Sequence, residues 1–104
     1  MSSKNYPKSL KVTFTPLAEK RLIKLLDYLE EEWSRKTRDQ VLDKILGDIK
    51  RVSKYPNSCS ESKFKKGLHQ CVVSKQTSFY YRIKKSELEI ISIFDNRQKE
   101  KNRR

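Results

Sequence analysis

The sequence lacks the residues that a structural metal site needs. It contains two cysteines, Cys59 and Cys71, and a single histidine, His69. The cysteines do not form a CxxC motif, and together with His69 they supply three of the four ligands that a structural zinc ion usually takes. We therefore expect no metal and no cofactor, and we interpret both cysteines as reduced thiols, with Cys71 a small core residue.

Long hydrophobic runs are also missing. No apolar stretch approaches the roughly 20 residues of a membrane-spanning helix, and the polar start MSSKNYPKSLK has no hydrophobic segment of a secretory signal. No repeat or low-complexity linker divides the chain. We expect a soluble cytoplasmic protein with one domain over residues 1–104, a core at about residues 10–97 and a basic C-terminal tail at residues 98–104.

Acidic residues are scarce relative to basic ones. The chain has 25 lysines and arginines against 13 aspartates and glutamates, which gives a formal net charge of +12. The basic residues are spread over the whole length rather than confined to a tail. Such a surface attracts polyanions or an acidic protein partner, and the attraction weakens as salt is added. The alternative is that the lysines only keep a small protein soluble.

A short strand and a helix are predicted at the N-terminal end. Residues 10–14 alternate between apolar and polar side chains, which predicts a strand. Thr15 is a good N-cap, and Pro16 suits the first helical position because its missing N–H would have no partner there. Apolar residues then recur at three- and four-residue steps, which predicts a helix that ends near Trp33 or Ser34.

A second helix is predicted after a short link. Thr37 and Gln40 have the spacing of a capping box, so we expect the helix to start at Thr37. Its apolar stripe continues to about Ser53, and Pro56 ends it because the residue before a proline avoids helical angles. Gly47 costs about 1 kcal/mol in a helix interior, which indicates close packing between the helices. The short link makes them an antiparallel hairpin.

The C-terminal half of the chain changes to a period of two. Residues 68–73, 78–83 and 88–94 predict three strands joined by short turns, a pattern typical of an antiparallel meander. The last of these is nearly all apolar and is therefore expected to be central. The predicted fold class is α+β, in the order β-α-α-β-β-β, with a helical hairpin packed on a small, mostly antiparallel four-stranded sheet.

Five short motifs occur along this predicted order. They are Thr15-Pro16-Leu17-Ala18, Lys54-Tyr55-Pro56, Lys66-Gly67-Leu68, Tyr80-Tyr81-Arg82-Ile83 and Ile90-Ile91-Ser92-Ile93-Phe94-Asp95-Asn96-Arg97. In a basic chain of this length, their order and spacing resemble the RelE/ParE family of bacterial toxins over about residues 10–97. The resemblance implies a growth inhibitor neutralised by a cognate antitoxin, an acidic protein whose C-terminal segment wraps around the toxin, in a complex that can be oligomeric.

The resemblance implies one of two targets. RelE-like members cut mRNA in the ribosomal A site, whereas ParE-like members inhibit DNA gyrase without known nuclease chemistry. A metal-independent nuclease needs a base for the 2′-hydroxyl, cations for the phosphate and an acid for the leaving oxygen. RelE-like toxins carry these groups on the exposed sheet face and at the C-terminus.

Strand alternation identifies the residues that share this exposed face. Phe79, Tyr81 and Ile83 form the apolar set that should pack on the helices, which leaves Tyr80 and Arg82 outside. Arg82 is the best candidate for a phosphate contact, at the position of an arginine in YoeB-like members; the alternative is an ordinary solvated arginine. Tyr80 can stack on a base or pack against a neighbouring strand.

Two other groups of side chains are candidates for binding or chemistry. His69 shares a face with Cys71 and Val73, which favours a structural histidine over a general acid or base. A basic cluster stands at the entrance to the sheet: Lys63, Lys65 and Lys66. These lysines can bind a phosphate backbone or the acidic residues of an antitoxin, or they are merely solvated.

Several positions depart from the nuclease pattern. The resemblance puts the YoeB-like glutamate base near Lys63, with Glu61 as an imperfect substitute, and the C-terminal His-Tyr pair at Asp95-Asn96. The lysines and the arginine of RelE-like members fall at Gln70, Val72 and Ser78. Arg97 stands in for the C-terminal arginine, shifted by about one position.

The catalytic candidates are therefore Arg82 and Arg97, without a full acid–base set. This slightly favours a ParE-like action on DNA gyrase. One alternative is a RelE-like ribosome-dependent mRNA endonuclease that relies mainly on cationic stabilisation. The other is a non-toxic basic module that binds nucleic acid or acts as an adaptor, which the charge supports although no groove-reading motif is present.

Overall fold

In the part of the chain that the structure describes, a helical hairpin packs on one mixed sheet. The structure is a computed structural model and describes residues 9–98. The elements are β1 (Lys11–Phe14), α1 (Pro16–Glu32), α2 (Arg35–Lys54), β2 (His69–Val72), β3 (Thr77–Lys84) and β4 (Glu87–Asp95). The strand order is β1-β4-β3-β2, with β1 parallel to β4 and the other pairs antiparallel. The predicted α+β order and the central position of the last strand are confirmed.

Two further predictions concern the C-terminal tail and membrane-spanning helices. Of the basic tail predicted at residues 98–104, only Gln98 lies within the described residues. Across residues 9–98, neither helix combines the length and the apolar character that crossing a membrane requires.

The two helix starts differ in how well the sequence predicted them. Thr15 caps α1 as expected, because its Oγ1 accepts from the Ala18 amide at 3.0 Å. The capping box predicted for α2 is wrong, since the N-cap is Ser34, whose Oγ accepts from the Thr37 amide at 3.0 Å. Ser34 has an extended backbone and caps well itself, so α2 begins at Arg35 and only two residues link the helices.

A bulge in the central strand decides which side chains reach the core. Tyr80 pairs with Ser92 and Tyr81 with Ile90, so Ile91 has no partner residue on β3. The inward-facing positions of β4 are therefore even-numbered before the bulge and odd-numbered after it. The largest fully buried core side chains are Tyr81, Phe79, Leu25, Leu29, Ile45, Leu88, Ile90 and Val52. Burying each such aliphatic or aromatic side chain stabilises the fold by about 1.5–3 kcal/mol.

The glycine within α2 does not lie at a close contact between the two helices, although the sequence predicted one there. Gly47 is exposed, and a Cβ built on it meets no heavy atom of the described chain within 4 Å. The expectation of a close helix approach at Gly47 is therefore wrong. Because the position faces solvent, its missing side chain leaves only the entropic cost of a helical glycine.

A buried carboxylate at the end of β4 organises the C-terminal residues. The Asp95 side chain is fully buried, and its Oδ2 accepts from the Thr77 hydroxyl at 2.7 Å. Arg97 donates to both carboxylate oxygens, through Nε at 3.1 Å and Nη2 at 2.9 Å. The Arg97 guanidinium also lies 5.6 Å from the ring centre of Trp33, and its carbonyl accepts from the Tyr28 hydroxyl. Arg97 thus joins the end of the sheet to α1.

Replacing the exposed helical glycine should stabilise the protein. Gly47→Ala is expected to raise the free energy of unfolding by about 1 kcal/mol, because alanine loses less backbone entropy in a helix. Gly67→Ala is the matched control and should lower it by about 1 kcal/mol, because Gly67 has a φ of +82°. Urea unfolding of the two variants measures both changes in free energy. Equal changes would contradict the conclusion that Gly47 is an exposed helical residue without a packing role.

Removing the partner of the buried carboxylate should destabilise the protein strongly. Arg97→Ala is expected to lower the free energy of unfolding by about 3 kcal/mol, because it leaves Asp95 buried without its cation. Arg35→Ala is the control, since its side chain is 74% exposed and its pair with Glu30 spans 3.5 Å. The control should cost less than about 1 kcal/mol. Equal losses in urea denaturation would show that Asp95 does not depend on Arg97.

Candidate functional site: a basic depression beside the sheet

Arg82 lies on the exposed face of β3, as strand alternation predicted. Phe79 and Tyr81 are fully buried, whereas the Arg82 side chain is 51% exposed. Its Nε donates to Oε1 of Glu89 at 2.9 Å, across the β3–β4 register. An ion pair this exposed contributes about 0–1 kcal/mol, so Arg82 can exchange Glu89 for another anion at little cost.

An open depression of about 400 Å³ lies between Arg82 and the loop that precedes β2. Four cationic side chains line it: Lys65, Lys66, Arg82 and Lys84. Its other lining residues are Gly67, Leu68, Ile83 and Ile91. We call these eight residues the basic depression. Clustered cations above an apolar floor attract a carboxylate-bearing or phosphate-bearing chain that also offers apolar contacts.

The loop that forms one wall of the depression is held by hydrogen bonds from its own residues. Gly67 has a φ of +82° and donates its amide hydrogen to Oε2 of Glu61. The Phe64 amide donates to Oγ of Ser62 at 3.1 Å, and the Leu68 amide to the Lys65 carbonyl at 3.2 Å. Glu61, considered as an imperfect substitute for a nuclease base, therefore holds the loop in shape.

The same loop exposes an aromatic side chain that sequence reasoning missed. Phe64 is 97% exposed and stands between Lys63 and Lys65. Lys63 is also exposed but is not among the lining residues of the basic depression. The sequence could have predicted this feature, because a phenylalanine between lysines is typical of binding surfaces.

Tyr80 belongs to a different part of the same sheet face. It is half-buried and pairs with Gln70 on β2 and Ser92 on β4. With Gln70 and Phe94 it lines a second open depression of about 240 Å³, apart from the one at Arg82. The structure therefore places Tyr80 and Arg82 on one face without bringing them into one depression.

His69 and the two cysteines face the core side of the sheet. The His69 ring stacks on Tyr81 with 4.9 Å between ring centres, and its Nδ1 lies 2.9 Å from the Cys59 carbonyl oxygen. Burial raises the pKa of the Tyr81 phenol, whose hydroxyl donates to the Pro56 carbonyl at 2.8 Å. This confirms the inward position that alternation gave to His69. Residues 9–98 contain no group of three or more His, Cys, Asp or Glu side chains that could hold a metal ion.

Arg97, the second catalytic candidate, is distant from Arg82. Arg97 is bound to Asp95, whose register partner on β3 is Thr77. Thr77 precedes Arg82 by five strand residues, which corresponds to roughly 16 Å. The two candidate arginines are therefore not brought together, and Arg97 is engaged in holding the fold.

Glu89 is the carboxylate that the structure places beside Arg82, and sequence reasoning missed it. The signal was the hairpin itself. Lys84 pairs with Glu87 across a two-residue turn, and Lys85 in that turn has a φ of +56°. Counting back from a two-residue turn puts residue 82 opposite residue 89, so the pairing followed once the turn length was known.

Known proteins resemble this chain in sequence pattern and in fold. The sequence model of the ParE toxin of the type II toxin–antitoxin system parDE matches residues 12–100. No curated protein sequence matches the chain. The chromosomal ParDE toxin–antitoxin system from P. aeruginosa contains a chain that superimposes with a TM-score of 0.72 at 16% identity, covering 84% of this chain and 96% of that one.

Two further structures share the fold at similarly low identity. The YoeB/ParE toxin from Agrobacterium tumefaciens has a TM-score of 0.61 at 17% identity, covering 83% of this chain and 98% of its own. A chain of the toxin–antitoxin complex RelBE2 from Mycobacterium tuberculosis has a TM-score of 0.55 at 17% identity, covering 85% of this chain and 99% of its own. Because the family pattern spans residues 12–100, the chain belongs to the ParE toxin family of type II toxin–antitoxin systems and has the RelE/ParE fold.

Proposed function

We propose that this toxin acts in the cytoplasm in the ParE-like manner. It binds DNA gyrase through the basic depression and blocks the enzyme without cutting nucleic acid. One observation carries the proposal: within residues 9–98, the candidate acid–base groups of RNA cleavage other than Glu89 lie away from Arg82. His69 and Tyr81 face the core, Glu61 holds a loop, and Arg97 is bound to Asp95. An arginine beside one carboxylate, without a general acid, can bind an anionic surface but lacks the full acid–base pair that cleavage needs.

The charge of the depression supports an acidic protein as the partner. Three of its four cations form no ion pair with another residue of the described range 9–98, and the fourth, Arg82, has an exposed pair that exchanges easily. A cognate antitoxin with an acidic segment would occupy the same cations and keep the toxin from its target. Similar chains occur in complexes described as toxin–antitoxin systems, which supports such a partner for this chain.

One observation favours a second function, that of a ribosome-dependent mRNA endonuclease. Glu89 lies 2.9 Å from Arg82 on the exposed face, and its side chain is 23% exposed. A carboxylate beside an arginine can serve as base while the arginine holds the phosphate. The same carboxylate, however, also reduces the positive charge that would attract a phosphate.

Induction in a bacterial host separates these functions. We expect the wild-type chain to arrest growth with gyrase-dependent DNA breaks and an SOS response. Arg82→Ala should raise the toxin level needed for arrest by about tenfold, a loss of about 1.4 kcal/mol of target binding. Glu89→Gln should leave the arrest in place, because no proton transfer is involved. Lys24→Ala, at an exposed position of α1, is the matched control for loss of one positive charge.

Three outcomes would contradict the gyrase proposal. Rapid cleavage of mRNA on translating ribosomes, lost in Glu89→Gln by a factor of about 10² or more, would establish the endonuclease instead. An equal effect of Lys24→Ala and Arg82→Ala would remove the depression from the binding site. No growth arrest, with the chain folded and expressed, would leave only the non-toxic adaptor.

A further inference from the structure

The segment before the basic loop runs antiparallel beside the edge strand β2. Glu61 and His69 form a bridge, the Gln70 amide donates to the Ser60 carbonyl at 3.0 Å, and the Ser62 amide donates to the Leu68 carbonyl. These two hydrogen bonds flank the bridge rather than join its two residues. Glu61 and His69 are therefore opposite each other as a non-hydrogen-bonded pair.

Beyond this bridge, the same two segments bring the two cysteines together. Moving two residues along both segments from the bridge leads from Glu61 to Cys59 and from His69 to Cys71. The two thiols lie within hydrogen-bonding reach of each other on the core side of the sheet. A disulfide needs Cα atoms that can approach to roughly 4.4–6.8 Å, and thiols already in contact need little movement to reach that geometry.

The two thiols differ in exposure, and the buried one is hard to ionise. Cys59 is half-buried, whereas Cys71 is 1% exposed. Burial raises the pKa of the Cys71 thiol to about 12, and the neighbouring Cys59 thiol adds to the rise. The Arg51 guanidinium opposes it, with Nη2 3.8 Å from the Cys71 Sγ. An oxidant therefore meets Cys59 first, and Arg51 stabilises the Cys71 thiolate when it forms.

We propose that Cys59 and Cys71 form an oxidation site that closes into a reversible intramolecular disulfide on reaction with a small-molecule disulfide. The Cys59 thiolate attacks one sulfur of the small disulfide and expels its first thiolate. Cys71 then loses its proton to solvent and attacks the Cys59 sulfur, which releases the second thiolate. Two protein thiols are oxidised, and one small disulfide is reduced to two thiols.

The bond would close the loop that carries one wall of the basic depression. Residues 59–71 include Lys65 and Lys66, which line the depression, and the exposed Phe64. A cross-link at the base of a loop this long removes much of the conformational freedom that the loop gains on local unfolding. Arg82 lies outside the closed loop, on β3. Oxidation would therefore hold the loop wall in place without changing the strand wall.

Mass spectrometry of the purified full chain in oxidised glutathione tests the proposal. We expect an intact mass lower by two hydrogen atoms, a peptide pair joined through Cys59 and Cys71, and reversal by dithiothreitol. The midpoint of thermal unfolding should rise by about 10 °C. Trypsin should cleave native protein after Lys65 and Lys66 about tenfold more slowly once the bond has formed.

The single-cysteine variants provide the controls. Cys71→Ala should stop at a glutathione adduct on Cys59, and Cys59→Ser, at a half-buried position, should show neither the bond nor the rise in midpoint. A wild-type chain that stops at the Cys59 adduct, forms a disulfide-linked dimer, or forms the bond only in denaturant would overturn the proposal. These readouts do not depend on toxicity, so they stand apart from the test of gyrase binding.

Discussion

One extra residue in the central strand sets the arrangement of everything that surrounds it. β4 pairs with β1 on one side and β3 on the other, and Ile91 is the residue by which its register with β3 shifts. Without the shift, the positions after it would point to the opposite face, since side chains alternate along a strand. Ile93 and Asp95 would then leave the interior, and the buried pairing of Asp95 with Thr77 and Arg97 could not form. The bulge therefore links core packing to the anchoring of the C-terminal residues.

The two arginines considered as candidates show how burial, and not distance, decides what an ion pair does. Arg82 and Arg97 each have a carboxylate oxygen at 2.9 Å. The Arg82–Glu89 side chains are 51% and 23% exposed, whereas those of Arg97 and Asp95 are 16% and 0% exposed. Water screens the first pair and leaves it exchangeable, while the second would leave an unpaired buried charge if it opened. Availability for a ligand thus belongs to Arg82, and stability depends on Arg97.

The sequence predicted what periodicity controls and missed what depends on contacts between distant segments. A period of two put Arg82 outside and His69 inside, and both positions are confirmed. The role of Arg97 required knowing that Asp95 is buried, which follows from the bulge and leaves no trace in local spacing. The spacing of Thr37 and Gln40 predicts a cap at Thr37, but Ser34 lies three residues earlier and caps the helix instead. Local patterns therefore predicted the elements and most of the exposed face. Which charged residues bind and which stabilise the fold could be decided only from the structure.

The basic depression joins two walls of unequal stiffness. The strand wall, with Arg82 and Lys84, belongs to β3, which pairs along its length with β4. The loop wall, with Lys65 and Lys66, depends on a few hydrogen bonds, including the one from Gly67 to Glu61. Backbone held by few and exposed bonds opens at lower free energy than the centre of a sheet. A partner that needs all four cations must therefore pay the entropy of fixing the loop, which reduces its affinity. A constraint at the base of that loop, where Cys59 faces Cys71, would lower this entropic cost. It would therefore raise the affinity of the depression by ordering the loop wall, while the strand wall stays unchanged.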